Sequence, residues 1–491
     1  MLETLRTSLA SVFGDHRRRI IFLLIVQGVI FTGLWFVEVN YGFRGKDQIG
    51  LFRYGNDTHS YLDPIENLLD YGVYGTDPTK PFAFRMPGML LPYGSFYVLF
   101  GREIAVHAYA IISVLMLIIG SSLVSGNLYR LYGLGPPLVF LSGFILYPQI
   151  YSYAFYGMPE TLSAGLILIL VYLFSEDEFR SKRLVLAGAI IAQLILLKPI
   201  FIVVTPVLGL YIFFRNYKTD QIILRALRSM FLLALIPVIV MGVWNVRNYA
   251  TFNNVILLTT TLDMHGADNA FRSWCRITGQ EYQAFNGKDA RAWFVDPANN
   301  KYNRTFAESN PFPDFIFTDY YNIDSLRSIR ADWYRLASMD ESEEKARLDQ
   351  QIEQRFKKIS NSFQSENTFH FVVTSRLLHL KNFLFIKDSF SPFAQQGIQW
   401  TLVRGIYFLQ YYYLLVLFLI GLFLAIISWH KLDAMIKLSI LMTLFYILGH
   451  LIMGRIENRY IIPMLPLLCI IMSQIFIGFD LAKSRQHQVV S

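Results

Sequence analysis

Cysteine is almost missing from this chain: Cys275 and Cys469 are the only two in 491 residues. One falls in a polar stretch and the other in an apolar run, which argues against a disulfide framework and against a cysteine-ligated metal. Charge is also scarce. Asp, Glu, Lys and Arg make up 16% of the chain, where a soluble domain carries roughly 25%. No polybasic stripe with interleaved aromatics is present, so nucleic acid is not an expected partner and the net charge of +8 is better placed in loop anchors. There is no inverted internal repeat of the kind found in transporters and no low-complexity tract. No small-x-small cleavage site follows the basic run His16-Arg17-Arg18-Arg19, so the first apolar segment is expected to stay rather than be removed.

What the chain does have is hydrophobic length. Residues of apolar type make up 54%, and apolar runs approaching the roughly 20 residues needed to cross a bilayer recur from end to end. The runs predict about ten spans, near 20–37, 104–124, 134–150, 161–174, 184–197, 200–214, 230–244, 402–427, 438–453 and 461–479. Basic residues gather at Arg17–Arg19, at Arg180, Lys182 and Arg183, at Arg215, Lys218, Arg225 and Arg228, at Lys431 and Lys437, and at Lys483 and Arg485. With ten spans all these clusters fall on one side, the cytoplasm, and both termini with them. The short loop 151–160 has no Lys or Arg and falls on the other side.

The expected fold class is therefore an all-α polytopic membrane protein. Its parts are an N-terminal transmembrane module (1–244) that includes a first outer loop (38–103), a large outer segment (245–400), and C-terminal transmembrane helices (401–491). The outer segment is too long for a simple connector. Its middle, 324–360, is polar, with Ile329, Trp333, Leu336 and Phe356 at helical spacing, and reads as a small helical outer subdomain.

The first outer loop carries the chemistry. Asp63-Pro64-Ile65-Glu66 has the form of a helix start, with Asp63 as N-cap, Pro64 at the first helical position and Glu66 closing a capping box. Ile65, Leu68 and Leu69 then share a face, Gly72 is the stop, and the helix lies along the membrane interface. A second amphipathic stretch follows at 89–100. Asp57 lies upstream of that cap with no structural task other than an Asx turn. Arg85, in Arg85-Met86-Pro87-Gly88, reads either as an arginine snorkelling to the headgroups or as a ligand for a lipid phosphate.

Acid, then Tyr-Leu, an amphipathic helix ending in Gly, Arg-x-Pro-Gly and a second amphipathic helix before a span form an ordered pattern. It resembles the GT-C superfamily of membrane glycosyltransferases, in the branch of protein O-mannosyltransferases and aminoarabinose transferases that use polyprenyl-phosphate sugars. Segments 157–162 (GMPETL), 196–199 (LLKP), 244–249 (WNVRNY) and 457–463 (ENRYIIP) are similar to that branch as well. The resemblance covers the spans and both ends of the chain, and leaves out the middle of the second outer segment.

The resemblance implies inverting transfer of one sugar from a polyprenyl monophosphate to an acceptor hydroxyl on an envelope glycan, a glycolipid or a protein, at the outer face of a bacterial plasma membrane. Asp57 matches the family's acid and would be the base. Arg85 would hold the donor phosphate. Arg459 and Arg247 either join it there or serve as basic anchors in an aromatic belt beside Trp244, Tyr249 and Tyr460. Glu160 is either a helix-start acid favoured by the helix dipole or a group lining the site. Tyr61 and His265 are further site-lining candidates, His265 with Asp268 beside it. Asp57, His59, Asp63 and Glu66 lie close enough in sequence for a hard-cation site, but capping uses two of them. Donors with a single phosphate do not generally need a metal in this family, so no cofactor is expected. Two other readings stand beside this one: an oligosaccharyltransferase or O-antigen-ligase-like enzyme, and a flippase or exporter of lipid-linked glycans. An exporter should carry ionisable groups near mid-membrane.

Overall fold

In the computed structural model, residues 2–41, 48–49, 52–53, 56–147, 149–175, 180–217, 223–258, 266–282, 289–294, 309–385, 398–453 and 458–477 are described. Their regular secondary structure is helical apart from one two-stranded antiparallel ribbon, β1 (Gln48–Ile49) with β2 (Phe52–Arg53). The chain divides into two compact units. The first takes Met1–Thr259, Ser389–Tyr446 and Arg459–Ser491; the second takes Thr260–Asp388 and Ile447–Asn458.

The first unit contains α1 (Leu2–Gly14), α2 (His16–Tyr41), α3 (Asn56–Tyr71), α4 (Ser95–Tyr132), α5 (Gly135–Leu146), α6 (Gln149–Phe155), α7 (Glu160–Ser175), α8 (Ser181–Leu197), α9 (Val204–Tyr217) and α10 (Ile223–Phe252). Among the described residues six helical segments are long and apolar enough to cross a membrane: His16–Phe36, Leu90–Tyr132, Ile223–Phe252, Phe408–Ile427, Ala434–Ile452 and Arg459–Ile477. The four other expected spans fall on shorter helices, α5, α7, α8 and α9, of 12 to 17 residues. At 1.5 Å per residue these cover about 18–26 Å, less than a hydrocarbon core of about 30 Å.

Helix α4 packs along α7. The contact is close because both helices present glycine there. A Cβ on Gly120 would lie 2.8 Å from Gly165 O, and one on Gly165 would lie 2.6 Å from Leu117 N. Small residues at such a crossing let two backbones approach, which is how helices associate when lipid supplies no hydrophobic drive.

One expectation for the first outer loop is corrected. The helix does not start at Asp63: α3 starts at Asn56, and Pro64 lies inside it. Asp63 is not a cap but an ion-pair partner of His59 (3.0 Å) and Arg102 (3.3 Å). An interior proline costs roughly 3 kcal/mol. The turns before it are held nonetheless, because Thr58, Tyr61, Leu62 and Ile65 form one buried stripe and Thr58 Oγ1 donates to Tyr156 O at 2.6 Å. The expected stop does form, with Gly72 at φ 74° and its N–H bonded to Leu68 O. The second amphipathic stretch also forms: a π-helical turn, Leu90–Gly94, leads into the first residues of α4, and non-helical Gly101 (φ 76°, ψ 178°) separates this piece by a kink from the long apolar remainder of α4.

The later part of the first unit adds α16 (Ile398–Ile427), most of α17 (Ala434–Met453), a 3₁₀ turn Asn458–Met464, and α18 (Leu465–Met472). The second unit, taken alone, holds α11 (Ala267–Thr278), α12 (Ala290–Phe294), α13 (Ile323–Ser338), α14 (Glu343–Glu366) and α15 (Ser375–Leu384). Its core is aromatic: Phe271, Trp274, Trp293, Phe294, Phe312 and Phe356 are buried together. The helices expected in 324–360 form as α13 and α14, each with a side-chain cap: Asn322 in a capping box, and Ser342 accepting from Lys345 N. Ile329 and Phe356 are buried in the core, with Trp333 and Leu336 packed against it.

Candidate active site

Five pieces of the first unit meet at one cluster of charge. The first turn of α3 supplies Asp57 and the second turn Ser60 and Tyr61. The irregular segment after Gly72 supplies Arg85. The start of α7 supplies Glu160, and the break after α8 supplies Lys198. The 3₁₀ turn supplies Arg459 and Tyr460.

Asp57 sits between two guanidinium groups. Its Oδ2 pairs with Arg459 Nη1, and its Oδ1 lies 3.5 Å from Arg85 Nη2. Burial pushes its carboxyl up, but Arg459 and Arg85 outweigh that and hold it below its usual 3.8. Arg85 also donates from Nε to Ser60 Oγ (3.2 Å) and stacks on the Tyr61 ring at 4.3 Å. The Tyr61 phenol is buried, which pushes it up to about 12 and keeps it neutral at physiological pH.

The Arg85 segment is fixed by its own glycine. Gly88 N donates to Leu196 O (3.2 Å), and Gln193 Nε2 donates to Gly88 O (2.7 Å). A Cβ on Gly88 would meet Leu197 N at 2.3 Å. Only a residue without a side chain lets this turn lie on the end of α8. One residue further on, Pro199 forbids helical geometry for its predecessor, so Lys198 is extended (φ −148°, ψ 116°) and α8 stops.

Lys198 Nζ pairs with Glu160 Oε1 at 2.7 Å, and both side chains are buried. Lys198 also lies over the Tyr460 ring at 4.7 Å. Glu160 opens α7, where the helix dipole favours a carboxylate. Its Oε1 is 3.9 Å from Arg459 Nε, and its Oε2 has no hydrogen-bond partner among the described residues. The loop that aims Glu160 is pinned by Tyr109 OH donating to Met158 O (2.8 Å) and by Thr58 donating to Tyr156 O. Tyr446 OH donates to Tyr460 O (2.9 Å) and fixes the turn that carries Arg459.

The structure thus brings together Asp57, Tyr61, Arg85, Glu160 and Arg459 of the residues singled out from sequence. Arg247 does not join them. Its guanidinium donates to Phe82 O (2.9 Å), Tyr74 O (3.1 Å) and Asn248 Oδ1 (2.9 Å). Tyr74 in turn donates to Arg85 O (3.2 Å), so Arg247 braces the segment that presents Arg85. His265 lies outside the described residues. Asp268, beside it, pairs with Arg272 and Tyr282 in the second unit. Lys198 is the residue that sequence reading missed. A lysine ending an apolar run just before proline is itself a signal, because a buried cation needs a carboxylate partner.

The four residues weighed as a cation site are otherwise engaged: Asp63 with His59 and Arg102, Glu66 with Arg102 (3.1 Å) and Tyr93 (2.5 Å), and Asp57 with the two arginines. Among the described residues no three His, Cys, Asp or Glu side chains gather in a metal-binding arrangement.

The fold and site define a helical membrane protein in which three cations surround two carboxylates, and the Asp57 side chain remains 39% exposed. Comparison with known proteins gives no matching family model and no matching curated protein. The chain is structurally similar to the GT-C membrane glycosyltransferases ArnT and AglB. ArnT from Cupriavidus metallidurans bound to undecaprenyl phosphate aligns at TM-score 0.35 and 12% identity, over 91% of this chain and 77% of that one. The archaeal oligosaccharyltransferase AglB from Archaeoglobus fulgidus, in complex with an inhibitory peptide and a dolichol-phosphate, aligns at TM-score 0.40 and 12% identity, over 96% of this chain and 51% of that one.

Proposed function

We propose that the protein is an inverting glycosyltransferase that moves a single sugar from a polyprenyl-phosphate donor to an acceptor hydroxyl on an envelope glycan, glycolipid or protein. The observation that carries this reading is Asp57 held between Arg85 and Arg459. A carboxylate that can take a proton and two guanidinium groups that can take a phosphate share one partly open cluster.

In this reaction the acceptor oxygen bonds to the anomeric carbon as the bond from that carbon to the phosphate oxygen breaks. The acceptor proton passes to Asp57, and polyprenyl phosphate leaves with an added negative charge. Arg85 and Arg459 stabilise that charge. Without donor, the two arginines are occupied by Asp57 itself. A donor phosphate competes for them, loosens Asp57 and lifts its carboxyl toward the range where a general base is effective. Lys198 and Glu160 hold Arg459 and Tyr460 in place, and Arg247 braces Arg85 through Tyr74. The reading places ten spans in a bacterial plasma membrane, both termini in the cytoplasm and the site outside. The exporter reading is not favoured, since Glu160 and Lys198 stand at the ends of α7 and α8 rather than along their middles.

The test is mass spectrometry of envelope glycans and glycolipids from a deletion strain complemented with wild type or with Asp57→Asn at equal expression. Loss of one sugar unit, restored by wild type alone, is expected. Restoration by both would remove Asp57 as base.

A further inference from the structure

Helix α15 and the π-helical turn before it, His370–Thr374, have two unlike faces. Ser375, His379 and Phe383, four residues apart, are buried in the second unit. The other face exposes Phe369 (68%), Val372, Val373 and Leu377 (58%), and Phe385 just beyond the helix end is exposed too. The preceding helix of the same unit does the opposite. Helix α14 exposes Glu343, Glu344 and Arg347. The change comes at Asn367, where the chain leaves α14 and Nδ2 ties the corner to Phe315 O and Phe317 O.

What lies beside α15 indicates what covers its apolar face. Arg376 Nη1 donates to Leu451 O at 3.1 Å, satisfying a carbonyl in the last turn of α17. Phe383 stacks on His450 with ring centroids 5.7 Å apart. His450 and Leu451 lie in the segment Ala434–Ile452, which is apolar and long enough to span a membrane, and both belong to the second unit. The same last turns expose Leu448 and Ile452. The second unit thus exposes apolar side chains both on 369–377 and on the end of the apolar segment to which α15 is tied by Arg376 and Phe383.

We propose that 368–385 is an in-plane membrane anchor. Its outward face of Phe369, Val372, Val373 and Leu377 inserts among the phospholipid acyl chains where α17 leaves the bilayer. An amphipathic helix at the interface buries one face at the boundary between headgroups and acyl chains. The exposed Lys381 is placed to meet phosphate headgroups. The assignment rests on the membrane reading of α17 and is independent of sugar transfer.

The experiment uses the full chain in nanodiscs of phosphatidylcholine and phosphatidylglycerol. Val372→Cys, Leu377→Cys and, as a polar-face control, Glu344→Cys are labelled singly with an environment-sensitive fluorophore. Both native cysteines are buried, and unlabelled wild type gives the background. Spin-labelled lipid is expected to quench positions 372 and 377 at least about threefold more than 344, with iodide giving the reverse order. Iodide quenching at 372 and 377 equal to that at 344 would show a water-exposed face and overturn the proposal. Protection from both quenchers would show a protein partner or a second copy there, and would overturn it equally.

Discussion

At the scale of single residues, the site is organised around the pairing of Asp57 with two guanidinium groups. Asp57 is held below its usual 3.8 by Arg459 and Arg85, so its ion pairs stabilise the fold fully above about pH 4 and are lost as the pH falls through the lowered value. In the proposed reaction, donor phosphate takes the same arginines. The acid limb of kcat, which reports the donor complex, is therefore expected at higher pH than the acid limb of kcat/KM, which reports the free enzyme. Coincident limbs would mean that the phosphate leaves Asp57 and its arginines undisturbed. The buried Lys198–Glu160 pair behaves differently. Lys198→Met leaves a buried carboxylate alone and is expected to destabilise by about 3–5 kcal/mol, with Glu160→Gln in the same chain restoring much of it. Thermal unfolding in detergent reads this out, and an unchanged midpoint for Lys198→Met would show the pair to be dispensable. Asp57, Arg85 and Arg459 could be singled out in the sequence because each sits in a segment that resembles the family's, and the structure brings the three together. Lys198 was not singled out, since a lysine in an apolar run looks like a break in a span until its carboxylate, 38 positions earlier, is brought to it. Arg247 shared the outward features of Arg459, a basic residue among aromatics at a span end, and only packing separates the partner of Asp57 from the brace.

At the scale of elements, the turn at Gly88 is closely constrained. Its missing side chain lets Arg85-Met86-Pro87-Gly88 rest on the last turn of α8. Gly88→Ala puts a methyl 2.3 Å from backbone and is expected to cost about 1–3 kcal/mol and to weaken donor binding through displaced Arg85. Measured donor affinity equal to wild type would show that the turn can relax. Helix α3 shows why its start was misread. Asp63-Pro64-Ile65-Glu66 satisfies every local rule for an N-terminus, and local rules cannot see Tyr156 O waiting for Thr58. Because Asp63 forms partly exposed ion pairs rather than a cap, Asp63→Ala is expected to cost only about 0–1 kcal/mol, checked by thermal unfolding. A larger loss would mean that the His59–Asp63–Arg102 contacts hold α3 more firmly than surface pairs do. The apolar runs themselves were legible as helices throughout, and the polar stretch 324–360 as two more.

At the scale of the whole molecule, apolar runs and basic clusters lead to an expectation of ten spans; six helical segments among the described residues are long and apolar enough to cross, and the other four expected spans fall on helices of 12 to 17 residues. A short helix within a bundle is not visible as such in a hydropathy pattern, because neighbouring apolar turns and 3₁₀ segments extend the run. The topology has a direct check. With ten spans, a cysteine at Glu344→Cys is expected to react with a membrane-impermeant maleimide in intact spheroplasts, and one at Arg225→Cys only after permeabilisation. Reaction of both from outside would change the parity of spans between them. The division of the chain also bears on its synthesis. The second unit is assembled from Thr260–Asp388 and Ile447–Asn458, so Arg376 and Phe383 are made well before Leu451 and His450, which cover them. The ribosome must first deliver Ser389–Tyr446, a delay of about 3–12 s at roughly 5–20 residues per second. Through that interval the nascent second unit stands open along α15, and a chaperone or the bilayer itself has to shield it until α17 arrives.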